Sequence, residues 1–531
     1  MMDHGVDGHN SHSNPFRYDH SEPHVTQARQ SKQVRASFFP PIALATRAKS
    51  PTQRPMYRQL YDWFQRAIVS GQLRPGQRVP STRSLAAELK VSRVPVLSAF
   101  EQLHAEGYLE TFVGAGTCVA RSIPEDASRP APGTARKPAT QKISRKVSQR
   151  ARHLLSMQGD SDLKNIGAFR VSLPALDYFP VGVWSSLLSR HSRNSTREMM
   201  AYGDPMGYAP FREAIAEYLG ASRAVRCDAS QIIVVPGSQL GLQVSARALL
   251  DLDDPVWIEE PGYPGAQQAL TMAGARLVPV PIDRDGLDVK EGIRRCRNAR
   301  AVYITPSHQY PMGFTMSASR RMQLLNWAAR NGSWIIEDDY DSEYRFGSHP
   351  VASLQGMDAD ARVIYIGTLS KVLFPALRLG YVVVPKDLVR AFYSAREATD
   401  IFPPTLYQAA LTDFIKEGHF ARHIRRMRML YMERRKSLGE AIRKHLGDQL
   451  EVVDAEAGMH LVALLPPGVN DKMVSRKAAD AGISAIPLSS CFLKRPPRGG
   501  LVLGYGGASK NQIEDGVRIL AKIIREVSAS S

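Results

Sequence analysis

Between Met56 and Ala120 the apolar residues recur first at helical spacing and then in alternation. Met56-Tyr-Arg-Gln-Leu-Tyr-Asp-Trp-Phe-Gln-Arg-Ala-Ile-Val-Ser-Gly71 gathers its apolar side chains on one face and stops at glycine, so the spacing predicts a helix. Leu73-Arg-Pro-Gly76 reads as a turn. Pro80-Ser81-Thr82-Arg83 opens a second predicted helix, Ser84 to Leu89. Val91-Ser92 breaks it, and Ser92 is placed to N-cap a third helix, Arg93 to Glu106, which Gly107 ends. Tyr108 to Ala120 alternates around Gly114-Ala-Gly116, which predicts a β-hairpin.

From about Asn165 onward the pattern changes. Short, nearly continuous apolar runs (Ile232 to Val235, Val256 to Ile258, Val302 to Thr305, Trp334 to Ile336, Val363 to Ile366) alternate with helical stretches. Strands apolar on both faces belong to a sheet covered on both sides, so an α/β fold with a mostly parallel sheet and helices on both faces is expected. Residues 1–50 are polar and rich in His, Ser and Arg, and read as a disordered tail. Residues 121–160 are basic and carry Pro124, Pro130, Pro132 and Pro138, a composition expected of a flexible linker. The expected domains are therefore 51–120 and 161–531, with no internal repeat.

Composition then narrows the function. The formal net charge is +18 over 531 residues, which favours a polyanionic partner; a soluble protein with basic tails is the plainer alternative. Four cysteines lie far apart, with no CxxC pair and no zinc-type His/Cys spacing, so free thiols in a reducing cytoplasm and no metal are expected. The first residues lack the apolar segment of a secretory signal, and no run is apolar and long enough to span a membrane.

Three helices followed by a hairpin make a winged helix-turn-helix, whose third helix would enter the major groove of double-stranded DNA. Arg83 and Arg93, at two helix starts, suit phosphate or guanine-edge contact, with Ser81, Thr82 and Ser92 beside them. The tip glycines Gly114 and Gly116 let the backbone approach a groove. Val79-Pro-Ser-Thr-Arg-Ser-Leu-Ala-Ala-Glu-Leu-Lys-Val-Ser-Arg93, Ala99 to Glu110 and Gly114 to Thr117 resemble the GntR family of bacterial repressors. Where that family carries a Thr-Val pair, this chain has Pro95-Val96, so a hydroxyl is missing.

The second chemical signal is Ile366-Gly-Thr-Leu-Ser-Lys371-Val-Leu-Phe-Pro-Ala-Leu-Arg378, a lysine after a strand with hydroxyls before it and a cation beyond. That is how a pyridoxal 5'-phosphate (PLP) site is built: the amine condenses with the cofactor aldehyde, and cations and hydroxyls hold its phosphate. Pro236-Gly237-Ser238-Gln239 follows a strand and opens a helix, where backbone amides face an anion. Of the adjacent carboxylates Asp338 and Asp339, strand alternation alone does not select the partner of a pyridine nitrogen.

Beyond Asn165 these motifs resemble the fold-type I aminotransferases, and with the GntR-like segment the whole chain resembles the MocR subfamily of regulators. The resemblance implies a Schiff base at Lys371, Asp338 on the pyridine nitrogen and Tyr340 on the ring hydroxyl. It also implies Tyr263 stacked on the ring, and Gly237, Ser238, Gln239, Thr368, Ser370 and Arg378 around the phosphate. Tyr202, in Tyr202-Gly-Asp-Pro-Met-Gly207, would reach the cofactor of the neighbouring subunit in a head-to-tail homodimer. Two departures stand out. Tyr310 occupies the place of the usual asparagine in Tyr310-Pro-Met-Gly313, and Val502, in Leu501-Val-Leu-Gly-Tyr505, stands where an arginine grips a substrate α-carboxylate. Arg498 is the nearby cation, and His308 reads as structural.

The expectation is a cytoplasmic, PLP-dependent transcriptional regulator in which PLP, or an amine forming an external aldimine with it, controls DNA binding or promoter activation. Vitamin B6 and amino-acid or amine metabolism genes are family targets that would fit. A working aminotransferase with a fused DNA-binding domain is the alternative.

Overall fold

A computed structural model describes residues 42, 54–112, 116–122, 146–157, 167–346, 352–455, 457–494 and 496–529. The expected tail, apart from Ile42, and linker residues 123–145 lie outside that set. The chain divides into two compact units, 1–144 and 145–531.

In the first unit α1 (Met56–Val69), α2 (Thr82–Glu88) and α3 (Arg93–Ala105) pack around Leu60, Phe64, Leu85, Val96, Phe100 and Leu103. Strands β1 (Leu109–Phe112) and β2 (Gly116–Val119) then pair antiparallel. Helix α2 starts two residues before the predicted Ser84 because Ser81 is its cap and accepts from the Ser84 amide at 3.1 Å. Ser92 holds the N-cap position of α3 but makes no side-chain cap bond. The reason is covalent: the third helical residue is Pro95, which has no N–H to donate.

The linker expectation needs a correction at its end. Residues Gln149–Met157 form a helix, α4, packed on the helix Pro264–Ala273, with Arg150 donating to the Met272 carbonyl at 3.3 Å. Composition alone hid its amphipathic spacing.

In the second unit β3 (Ile232–Val235), β4 (Pro255–Glu260), β5 (Arg276–Asp283), β6 (Gly286–Leu287), β7 (Ala301–Ile304), β8 (Trp334–Asp339), β9 (Val363–Thr368) and β10 (Gly380–Val383) form one sheet in the order β3-β10-β9-β8-β7-β4-β5-β6. Neighbours from β9 to β5 run parallel, while β10 is antiparallel to both of its neighbours. Every residue of β3, β7, β8, β9 and β10 is buried, which is why their sequences read as apolar runs, broken only at the ends of β8 (Glu337 to Asp339) and β9 (Gly367 and Thr368). After the long helix His419–Leu446, strands β11 (Glu451–Val452), β12 (His460–Leu464), β13 (Ile486–Pro487) and β14 (Gly500–Gly504) make an antiparallel sheet ordered β11-β12-β14-β13. Among the described residues no helix is long and apolar enough to cross a membrane.

Candidate cofactor site

The site lies at the carboxyl ends of β8 and β9 and in the turn after β3, where open parallel sheets commonly place ligands. Lys371 follows β9 by three residues. Burial lowers its pKa from 10.5 to about 8, with Asp341 and then Asp338 opposing the shift. Asp338, near the end of β8, accepts from the Tyr303 hydroxyl at 2.9 Å through Oδ2. Its other oxygen, Oδ1, is buried without a hydrogen-bond partner. Desolvation pushes this carboxyl up to about 7.

The two adjacent aspartates differ in their neighbours. Asp339 accepts from Arg223 Nε at 2.8 Å and from the Tyr365 hydroxyl at 2.6 Å, and both members of that ion pair are buried. Asp339 is therefore committed to the structure, and Asp338 keeps a free oxygen.

Gly237 caps the helix Ser238–Leu249 with φ +92°, a conformation open to glycine. A Cβ there would lie 3.5 Å from Arg378 Nη1, so the turn and the guanidinium are adjacent. Helix-start amides, the positive end of the helix dipole and a cation together make an anion cradle. Thr368 accepts from the Ser370 amide at 3.3 Å, while Ser370 Oγ is buried without a partner. Gln239 spends its amide nitrogen on the Gly265 carbonyl and leaves Oε1 buried and unpaired. Buried polar atoms are rarely left unpaired, so this group points to a missing polar ligand.

Tyr263 meets Tyr310 edge to face at 5.5 Å, and Tyr310 in turn faces Tyr340 at 6.2 Å and His460 at 5.3 Å. The Tyr340 hydroxyl lies 3.0 Å from His308 Nδ1, which is 2.9 Å from Asp341. Sequence spacing missed Tyr303, Asp341 and His460. His308, Asp341 and His460 bring ligand-type atoms within 4.8 Å of one another, yet they come from three separate segments, so zinc spacing rules do not see them. Only Asp341, two residues from Asp339 in an acidic stretch, carried any local signal.

Tyr202 is not gathered with these residues; it stands 84% exposed against Phe402. Val502 is fully buried, paired in register with Val462 and Ile486, and packed with Leu488, Val171 and Met312. Arg498, the nearby cation, pairs with Glu451 at 2.6 Å.

In the first unit Arg83 and Arg93 are exposed. Arg93 Nε donates to Thr82 Oγ1 at 3.3 Å, so the starts of α2 and α3 adjoin. Gly116 sits beside Arg78 with φ +83°, and Gly114 lies outside the described residues.

Comparison with known proteins agrees with this division. The model of class I and II aminotransferases matches residues 176–505, and that of bacterial regulatory proteins of the gntR family matches residues 56–119. The chain is 42% identical, over 90% of its length and 95% of the relative's, to a probable rhizopine catabolism regulatory protein MocR of Rhizobium meliloti. The chain belongs to the MocR-type regulators. It is also 31% identical, over 92% of its length and 99% of the relative's, to the pyridoxine biosynthesis regulator PdxR of Corynebacterium glutamicum. Among solved structures it resembles the α-aminoadipate aminotransferase LysN of Thermus thermophilus, complexed with a phosphopyridoxyl-leucine, at 28% identity and TM-score 0.65 over 72% of this chain and 96% of that one. As a MocR-type chain it is a DNA-binding transcriptional regulator whose large domain has the fold-type I aminotransferase architecture.

Proposed function

We propose that the large domain holds PLP on Lys371 and senses an amine that lacks an α-carboxylate, and that its occupancy controls DNA binding by the winged helix. The observation that carries this reading is the contrast between the unpaired Asp338 Oδ1 and Ser370 Oγ and the apolar burial of Val502. When bound, the cofactor supplies an aldehyde that condenses with amines and a ring that draws electrons. Asp338 Oδ1 takes the pyridine N–H, and Tyr263 lies against the ring. Tyr340 and Tyr310 face the ring hydroxyl. The amides of Ser238 and Gln239, with Gly237, Thr368, Ser370 and Arg378, hold the phosphate. Exposed Tyr202 supplies its hydroxyl to the partner subunit in a head-to-tail homodimer. Such a dimer presents two winged helices to paired half-sites, with Ser81, Thr82, Arg83, Ser92, Arg93, Gly114 and Gly116 toward the DNA. The higher identity to the rhizopine catabolism regulator than to PdxR favours a catabolic amine operon over vitamin B6 synthesis.

A ligand shifts a two-state protein only by binding one state better, so the test measures linkage. Operator footprinting upstream of the chain's own gene, with and without PLP and with added amines, is expected to change with occupancy. Arg93→Ala is expected to weaken operator binding by about 1–3 kcal/mol. Identical footprints under all ligand conditions would overturn the sensing reading. Sustained conversion of an amino acid and a keto acid would support the aminotransferase alternative.

A further inference from the structure

Away from the cofactor site, the second unit holds a cavity of about 830 Å³ between the helix Ala209–Arg223, the loop after β8 and the start of the helix His419–Leu446. That is the size of a small-molecule site. Besides Arg223, four cations line it, Arg345, Lys416, Arg425 and Arg428, against the carboxylates of Glu217 and Glu343. Glu343 is already spoken for: it accepts from the Tyr218 hydroxyl at 2.8 Å, and its carbonyl accepts from Arg428 Nε at 3.0 Å. Among the described residues neither the Lys416 nor the Arg425 side chain has a hydrogen-bond or ion-pair partner. A concave wall with surplus positive charge concentrates anions, because the low-dielectric surroundings focus the field.

The lining also includes Arg223. Its guanidinium reaches through to Asp339 at 2.8 Å and to the Ser307 hydroxyl at 2.7 Å. Asp339 adjoins Asp338 on β8, and Ser307 adjoins His308, whose Nδ1 meets the Tyr340 hydroxyl. One side chain thus spans from the cavity to two segments that frame the cofactor site.

We propose that this cavity is a second ligand site, taking a small organic or inorganic anion with carboxylate or phosphate groups, and that Arg223 couples its occupancy to the cofactor site. The anion is held by Lys416 and Arg425, with Arg345 and Arg428 beside them. Its pull on Arg223 weakens the hold on Asp339 and Ser307 and so alters the surroundings of Asp338 and Tyr340. The coupling, though not the anion site itself, rests on the PLP reading above. Linkage makes it reciprocal: whatever the anion does to cofactor binding, the cofactor does to anion binding.

Calorimetric titration of the full, PLP-loaded chain with citrate and with inorganic phosphate, at matched ionic strength, tests the site. The two titrants separate carboxylate from phosphate preference. Saturable one-to-one binding of one of them is expected, weakened about tenfold or more in Lys416→Ala/Arg425→Ala, where both substituted residues are exposed, so the fold is expected to hold. The visible cofactor band is expected to shift on saturation in the native chain. No saturable heat from either anion, equal binding by the double variant, or displacement of the anion by duplex DNA would overturn the proposal. A coloured protein whose band ignores bound anion would overturn the coupling. Failure of the PLP reading looks different: a colourless protein that still takes the anion.

Discussion

The two sides of the candidate site have been treated differently. On the sheet side, Lys371, Asp338, Ser370, Gln239 and the Gly237–Arg378 pair present charge, an anion cradle and unpaired buried polar atoms. On the β14 side, Val502, Val462 and Leu488 close an apolar cluster with Val171 and Met312. Unpaired buried polar atoms are costly unless a ligand completes them, which is what the proposed cofactor would do. The second side has the well-packed interior of an ordinary core. On the proposed reading, a site with the means to hold a cofactor and no ionic means to hold a carboxylate suits amines more than α-amino acids.

The largest expected effect falls on the polar side. Lys371→Ala is expected to abolish the visible band of PLP-treated protein while leaving operator binding by the winged helix measurable. A band of native intensity in that variant would move the covalent site elsewhere. The native apoprotein carries a related pH signature. Only the neutral amine attacks an aldehyde, and burial lowers the Lys371 pKa from 10.5 to about 8, so the neutral form gains as pH rises through that lower value. Stopped-flow capture of PLP is expected to rise with pH and be half-maximal near 8. A profile still climbing steeply toward 10.5 would mean the amine is solvated.

On the apolar side, Val502→Arg places a charge among valine and leucine with no carboxylate in the cluster. A destabilisation of about 3–5 kcal/mol is expected, read as a drop in the denaturant midpoint of the large domain. If the variant is as stable as the native chain, the wall is wetter than its packing implies, and the comparison fails there. If added α-amino acids specifically restore stability, the wall is indeed the place where a carboxylate grip was lost. Back on the polar side, Asp338→Ala removes the acceptor of a charge-assisted hydrogen bond. It is expected to weaken PLP binding by about 1.5–3 kcal/mol, roughly ten- to a hundredfold, in fluorescence titration. Undiminished affinity would return the pyridine role to Asp339 despite its commitment to Arg223.

Much of this contrast was legible in the sequence because it is local. Strands buried on both faces announce themselves as apolar runs, and each cofactor motif sits near a strand end with its own residues close in sequence. Val502 was visible as a departure in a single strand. What the sequence hid is long-range. Tyr303 reaches Asp338 from the next strand, and His308, Asp341 and His460 meet from three segments. The pairing of Arg223 with Asp339 crosses from a helix end to a strand end. No periodicity encodes such meetings; they follow from strand order. The helix of residues 149–157 was missed for another reason, since basic composition outweighed a short amphipathic pattern.

The finest probe of the polar side is Gly237→Ala. The backbone at Gly237 has φ +92°, where a Cβ is strained whatever the space around it. The added methyl would meet Arg378 only at ordinary contact distance, 3.5 Å, so the penalty is conformational and not a clash. A cost of about 1–3 kcal/mol is expected, which the chain can relieve by rotating the turn and with it the amides of Ser238 and Gln239. The two outcomes differ in where that cost appears. If the turn holds, thermal stability falls and PLP affinity is kept. If it rotates, stability is kept and affinity for PLP falls, with free phosphate protecting the apoprotein less. The second outcome would show that the backbone amides carry part of the anion grip, since the methyl meets Arg378 at no more than ordinary contact.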